Sequence, residues 1–171
     1  EFAPFNDDAA MFECSDEWLN RVWAFCKYSI KATTPFGKYI DGERERLPYE
    51  GDTYINQLGH FCCDADYNIA RNTIDHLLIH PTWPTEWHLV MPLIVRDYLL
   101  YSGDADSVRR WYPVLKERTL LHHAGDDFLI RPQNDIRDIV DWPMGERDGY
   151  EFGDVNLVPN CCHYRSLLAM G

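Results

Sequence analysis

The chain has 171 residues, the length of one domain, and 46% of them are hydrophobic and 14% aromatic, a composition that excludes a disordered chain. Its formal net charge is −12. Because this charge repels phosphate groups, it argues against a nucleic-acid partner and against an anionic membrane surface, whereas a neutral substrate or a cation remains open.

Targeting signals and the cysteine pattern say little about where the protein is located. The most apolar run, Leu89 to Leu100, is too short for a bilayer span and is interrupted by Pro92, Arg96 and Asp97. The N-terminal Glu1 to Pro4 lacks the features of a signal peptide. Two adjacent cysteine pairs suit neither a disulfide framework nor a zinc site, so we interpret the cysteines as small buried residues, which favours a cytoplasmic, reducing compartment.

Apolar residues at helical spacing predict helices along most of the chain. The expected helices cover about 15–31, 52–63, 67–79 and 86–101, then a short helix to Tyr112, another opened by Pro113, and a last one from near Pro159. Pro92 is expected to kink the fourth helix. Strand alternation is not sustained, so residues 1–171 are predicted to form a single all-α domain of antiparallel helix pairs joined by short turns and long charged loops.

Two long segments lack helical periodicity and are predicted to be functional loops. The first runs from Lys38 to Gly51 and carries most of the charge. The second runs from Gly125 to Phe152, with Phe128 to Ile130 as a short extended piece. A loop this long in a compact domain is usually functional or disordered, and the aromatic and apolar residues of the second loop favour order.

The acidic segment from Asp41 to Asp52 is the strongest candidate for chemistry. It contains five carboxylates, two arginines, two glycines and a proline. Glycoside hydrolysis needs one carboxyl group that stays protonated and another that stays charged. Like-charge repulsion within the cluster can raise the pKa of one member, and Arg44 and Arg46 act against it. The carboxylates considered are Asp41, Glu43, Glu45 and Asp52. The plainer interpretation is a solvated charged face.

A second constellation follows at residues 135–150, where Asp141 precedes Trp142. A tryptophan beside a carboxylate suits a sugar, because the ring covers an apolar face while the carboxylate accepts hydroxyl hydrogens. Trp83 and Trp87 are expected at the same end of the helix array. The alternative is that Trp142 fills the core.

The run from Arg44 to Asp52 resembles the acidic signature of bacterial α-L-rhamnosidases of glycoside hydrolase family 78. The resemblance extends, in the same order, to residues 14–20, 81–87 and 138–143. It implies that the chain forms part of an (α/α)6 barrel, the six-hairpin glycosidase fold. It also implies hydrolysis of terminal α-L-rhamnose with inversion. Glu45 matches the general acid. The expected sugar contacts are Asp41, Arg44, Tyr49, Asp52, Trp87, Asp141 and Trp142. Neither a cofactor nor a metal is implied.

The resemblance also implies that these residues form the first half of the barrel, because the general base of the family is a glutamate from a later segment. Half a ring of helices would leave apolar faces uncovered, so we expect a fragment, or a chain completed by a second chain or by self-association. On this interpretation the isolated chain is inactive.

Several alternatives stay open at this stage. One alternative is a sugar-binding domain without catalysis. Another is a helical glycosidase acting on uronic acids, although an acidic cavity is a poor site for a negatively charged sugar. A metal site built from His60, His163 and the paired cysteines is a third interpretation. Individually, Asp52 could cap a helix, Glu45 could form a structural ion pair with Arg44 or Arg46, Tyr49 could pack, and Asp41 and Asp141 could hold the loop backbone.

Overall fold

The computed structural model describes residues 5–42 and 44–171. Glu1 to Pro4, considered above for a signal peptide, and Glu43 of the acidic cluster lie outside the described residues. Within the described ranges the regular structure consists of six α-helices and three short 3-10 helices, and the only strand-like pairings are two isolated bridges. The all-α prediction is therefore confirmed.

The helix bounds lie close to the predicted ones, with one exception. The helices are α1 (Glu17–Ala32), α2 (Glu50–Phe61), α3 (Asn68–Ile79), α4 (Thr85–Ser102), α5 (Ala105–Arg118) and α6 (Leu157–Met170). The 3-10 helices are Pro35–Gly37, Leu121–His123 and Met144–Glu146. The extended piece predicted at residues 128–130 contributes to an antiparallel bridge between Ala124 and Ile130.

The prediction of two helices separated at Pro113 was wrong, because α5 continues through that residue. Trp111 and Leu115 are both buried in the main core, four residues apart, on either side of the proline. Their packing holds the backbone helical, and the hydrogen bond that a proline cannot donate is lost on a solvent-exposed side of the helix, where water can replace it. Tertiary packing here overrides the local signal.

Helix α1 starts as the sequence indicates, but the rest of the domain covers little of its surface. The carboxylate of Asp16 accepts a hydrogen bond from the backbone N–H of Trp18 at 2.9 Å, which caps the helix. None of its residues is fully buried. Its large exposed apolar side chains are Trp18, Leu19, Val22 and Phe25. Completion of the ring by further helices or by a second chain, which would cover such a face, stays a prediction.

Helix α4 is the central element of the fold, since it packs against α2, α3, α5 and α6. Its side chains are buried around most of its circumference, including Leu89, Met91 and Ile94, which are fully buried. Pro92 lies inside this helix and is also buried. Although α4 is the most apolar helix, no helix of the described chain combines the length and the hydropathy needed to cross a membrane.

A small second core fastens the long loop between α5 and α6 onto α4. In this cluster Leu89 of α4 packs with Leu120, Ile130 and Ile136. The buried isoleucines bring the loop alongside the N-terminal end of α4, where Pro84 and Arg137 form a parallel bridge. The loop that carries Trp142 is thereby placed next to the segment that carries Trp83 and Trp87.

Truncating Leu89 to Ala should lower the free energy of unfolding by about 2–5 kcal/mol, because it removes buried methyl groups and leaves a cavity. The matched control is Leu100→Ala in the same helix, where the side chain is 66% exposed and the loss should stay within about 0.5 kcal/mol. Urea denaturation of both variants measures the difference. Equal losses would show that the second core contributes nothing.

Candidate active site

The acidic loop, the start of α4 and the loop before α6 meet around an open cavity of about 400 Å³. Its lining residues are Asp41, Arg44, Glu45, Tyr49, Asp52, Trp83, Trp87, Ile139 and Trp142. Seven of the eight residues singled out from the sequence belong to this set. The cavity is therefore lined by both charged and aromatic side chains.

The acidic loop is held closed at its base by Asp41. The backbone N–H of Asp41 donates to the carbonyl oxygen of Leu47 at 3.0 Å, and its carboxylate accepts from the N–H of Leu47 at 2.9 Å. Arg46 adopts a left-handed conformation with φ of 56° within this turn. Asp41 thus holds the loop backbone, as one alternative predicted, and it also lines the cavity.

Glu45 and Arg44 project from this loop into the cavity and pair with each other. The side chain of Glu45 is 37% exposed, whereas that of Arg44 is 74% exposed. Glu45 is close enough to Tyr49 and Asp52 for its negative charge to raise the pKa of both groups. It shares the cavity with Trp142, so it does not point away from the candidate site.

Asp52 lies in the first turn of α2 and does not cap that helix, because Tyr49 occupies the N-cap position. Its pKa is raised, first by burial and then by the neighbouring charges of Asp41 and Glu45. The predicted effect of like charges on one member of the cluster therefore falls on Asp52, where it adds to the larger effect of burial.

The aromatic residues that line the cavity come from three separate segments. The rings of Tyr49 and Trp87 are 5.3 Å apart at an interplanar angle of 51°, a tilted contact that links the acidic loop to α4. Trp142 is 58% exposed and Trp83 is 51% exposed. The alternative that Trp142 fills the core is thereby excluded, and both rings offer apolar surface to a ligand.

Asp141 is the one singled-out residue that does not line the cavity. Its carboxylate accepts a hydrogen bond from the N–H of Trp142 at 2.7 Å. The side chain of Arg147 donates to the carbonyl oxygens of Ile139 and Asp141, each at 2.9 Å. In this structure Asp141 therefore holds the loop backbone beside Trp142.

Sequence reasoning missed two buried carboxylates just behind the lining, Glu50 and Glu86. Glu50 accepts hydrogen bonds from the N–H of Thr82, at 3.1 Å, and from its hydroxyl group. Burial raises the pKa of Glu50, against the effect of these bonds and of the Arg118 charge. Within a segment of five carboxylates no pattern distinguishes the one that turns inward; a threonine next to Trp83 was the only available hint.

The prediction that the cysteines are buried was wrong for most of them: Cys63 is buried and Cys14 and Cys162 are partly exposed, whereas Cys26, Cys62 and Cys161 are exposed. Among residues 5–42 and 44–171, no three side chains of His, Cys, Asp or Glu are grouped so that they could hold a metal ion. The donor set proposed in the metal interpretation is not brought together in this part of the chain.

Gly51 allows Trp87 to lie against the start of α2, since an added Cβ atom would come within 2.9 Å of the indole Nε1. Gly51→Ala should displace the ring and lower the free energy of unfolding by about 1–3 kcal/mol. Near-ultraviolet circular dichroism should report the changed tryptophan environment. Gly145→Ala, where no atom lies within 4 Å of the added Cβ, is the control and should leave both properties unchanged. An unaltered spectrum for Gly51→Ala would contradict the close packing of Trp87.

Comparison with known proteins identifies the family of the chain. The family model described as bacterial alpha-L-rhamnosidase 6 hairpin glycosidase domain matches residues 7–171. No individual curated protein matches the chain significantly. The family match covers nearly the whole chain and indicates a glycoside hydrolase of the six-hairpin type, with a carbohydrate substrate. The chain belongs to the bacterial alpha-L-rhamnosidase six-hairpin glycosidase domain family.

Proposed function

We propose that the protein hydrolyses terminal α-L-rhamnose from glycosides with inversion at the anomeric carbon, and that Glu45 acts as the general acid. One observation carries the proposal: Glu45 and Asp52 of the acidic segment line one cavity with Trp142, which lies about 90 residues further along the chain. A carboxyl cluster facing aromatic rings fits a sugar, whose hydroxyl groups donate to oxygens while its apolar face covers a ring.

The role of Glu45 is to donate a proton to the oxygen of the leaving group as the glycosidic bond breaks. Its position at the partly exposed rim of the cavity leaves room for an aglycone to depart into solvent. An inverting reaction also requires a general base on the opposite face of the sugar, and we assign that role to none of the described cavity residues.

The remaining cavity residues hold the sugar. Asp41 and Asp52 offer carboxylate oxygens to hydroxyl groups, and Arg44 offers guanidinium donors. Tyr49 is half-buried, and its pKa is raised by burial and by the charges of Glu45 and Asp41, so it donates a hydrogen bond as a neutral phenol. Trp87 and Trp142 contact the apolar face of the ring. Asp141 supports Trp142 through the backbone.

A second candidate function, sugar binding without cleavage, is favoured by one specific observation. The carboxylate of Glu45 is paired with the guanidinium of Arg44, so the proposed acid already has a structural partner. A carboxylate in such a pair can position a ligand without donating a proton. Uronic acid glycosides fit the cavity less well, because their carboxylates would face Asp41, Glu45 and Asp52.

Rhamnose binding and rhamnoside hydrolysis, measured on the same protein, separate these functions. With the complete catalytic domain, which supplies the general base, we expect calorimetric titration with L-rhamnose to show saturable binding and a nitrophenyl α-L-rhamnoside to release β-configured rhamnose first, as detected by NMR. Binding without release of sugar would favour the non-catalytic function. Neither binding nor release would contradict both.

In the complete enzyme, Glu45→Gln should reduce turnover of an alkyl α-L-rhamnoside by about 100- to 10,000-fold, the usual contribution of a general acid. A nitrophenyl rhamnoside should lose much less, since its leaving group needs little proton assistance. Glu13→Gln, which removes an exposed carboxylate outside the cavity, serves as control and should change neither rate. Equal losses on both substrates would assign Glu45 a role other than proton donor.

A further inference from the structure

Glu86 is a charged side chain that the sugar contacts do not use. It is located in the first turn of α4, directly before Trp87, yet it does not line the cavity, and the residue is only 6% exposed. Burying a carboxylate is costly unless hydrogen bonds compensate for lost hydration. The pKa of Glu86 is raised, mainly by burial. The hydrogen bonds that compensate for this burial show its structural role.

The carboxylate of Glu86 binds the backbone of the loop that carries Trp142. The N–H of Val140 donates to Oε1 at 2.8 Å, and the N–H of Ile139 donates to both oxygens, at 3.2 Å and 3.0 Å. Ile139 is buried and lines the cavity, and Trp142 follows three residues later. The N-terminal end of α4 also favours a negative charge at this position.

The loop adopts a conformation that needs such support. Val140 is a β-branched residue with φ of 59°, in the left-handed region that such residues rarely occupy. Two further hydrogen bonds join Thr85 to Arg137 at 2.9 Å and Arg137 to Trp83 at 3.3 Å, so the loop is tied to α4 up to this point. Beyond it, the Glu86 carboxylate and the Arg147 guanidinium hold the backbone that leads into Trp142.

We infer that Glu86 is a positioning residue for the proposed sugar site, acting through the backbone of Ile139 and Val140 to hold Trp142 against the cavity. It touches no substrate. The inference rests on the proposed function only for the identity of the sugar, because the tie between Glu86 and the loop is independent of the ligand.

Three substitutions separate the chemical requirements. Glu86→Ala removes the acceptor. Glu86→Asp keeps the charge near the helix end but withdraws the oxygens by one methylene group. Glu86→Gln keeps one carbonyl oxygen that can accept from both N–H groups. The matched control is Glu17→Ala, which removes a carboxylate from the first turn of α1 that does not line the cavity.

Calorimetric titration with L-rhamnose gives the first measurement. We expect Glu86→Ala and Glu86→Asp to raise the Kd about 5- to 20-fold, a loss similar to that in Trp142→Ala, and Glu86→Gln to restore most of the affinity. The double variant Glu86→Ala/Trp142→Ala should bind little more weakly than Trp142→Ala, since both changes remove one interaction. Additive losses, or no loss in Glu86→Asp, would overturn the inference. If Glu86→Ala fails to fold, Glu86→Asp and Glu86→Gln carry the test.

Amide hydrogen exchange gives a measurement that does not depend on the sugar. The amides of Ile139 and Val140 should exchange about 10- to 100-fold faster in Glu86→Ala than in the unsubstituted protein, and at the original rate in Glu17→Ala. Should the protein not bind rhamnose at all, the proposed function fails and this exchange decides the positioning role by itself. Unchanged protection at both amides would overturn the inference in either case.

Discussion

The hydrogen bonds between the carboxylate of Glu86 and the N–H groups of Ile139 and Val140 join the loop before α6 to the central helix. The carboxylate and the N–H groups are shielded from water, so breaking these hydrogen bonds would leave buried polar groups unsatisfied. The carboxylate belongs to α4, the helix that packs against most of the other helices of the fold. A loop of mostly polar residues can therefore present Trp142 in a fixed place.

A similar arrangement involves Glu50 and the segment that carries Trp83. Glu50, at the start of α2, is 1% exposed and binds the backbone and side chain of Thr82, next to Trp83. The Arg118 guanidinium lies close enough to lower the pKa of Glu50 and partly balances its charge. In both cases a carboxylate in the first turn of a helix secures a neighbouring aromatic segment. The cavity is thus assembled by hydrogen bonds at helix ends together with the apolar packing of the second core.

Much of this fold could be predicted from the sequence because helical periodicity is a local property. Apolar spacing located the helices, and the alternation of helices with charged segments located the loops. The failure at Pro113 shows the limit of local signals, since the contacts that carry α5 through it come from the core. Among the site residues, Glu45 and Trp142 could be selected from motifs, whereas Glu86 could not. Its role depends on the distant partners Ile139 and Val140, which no sequence spacing connects.

In the proposed function, the aromatic rings and the acidic loop bind different parts of the sugar. We propose that the charged groups of the acidic loop bind the hydroxyl groups and the leaving oxygen, and that Trp87 and Trp142, which also line the cavity, contact the apolar face of the sugar. A crystal structure of the protein soaked with L-rhamnose tests this arrangement most directly. We predict a rhamnose ring against Trp142, with its anomeric oxygen about 3 Å from the carboxylate of Glu45. Rhamnose bound elsewhere, or in the cavity with its anomeric oxygen turned away from Glu45, would contradict it.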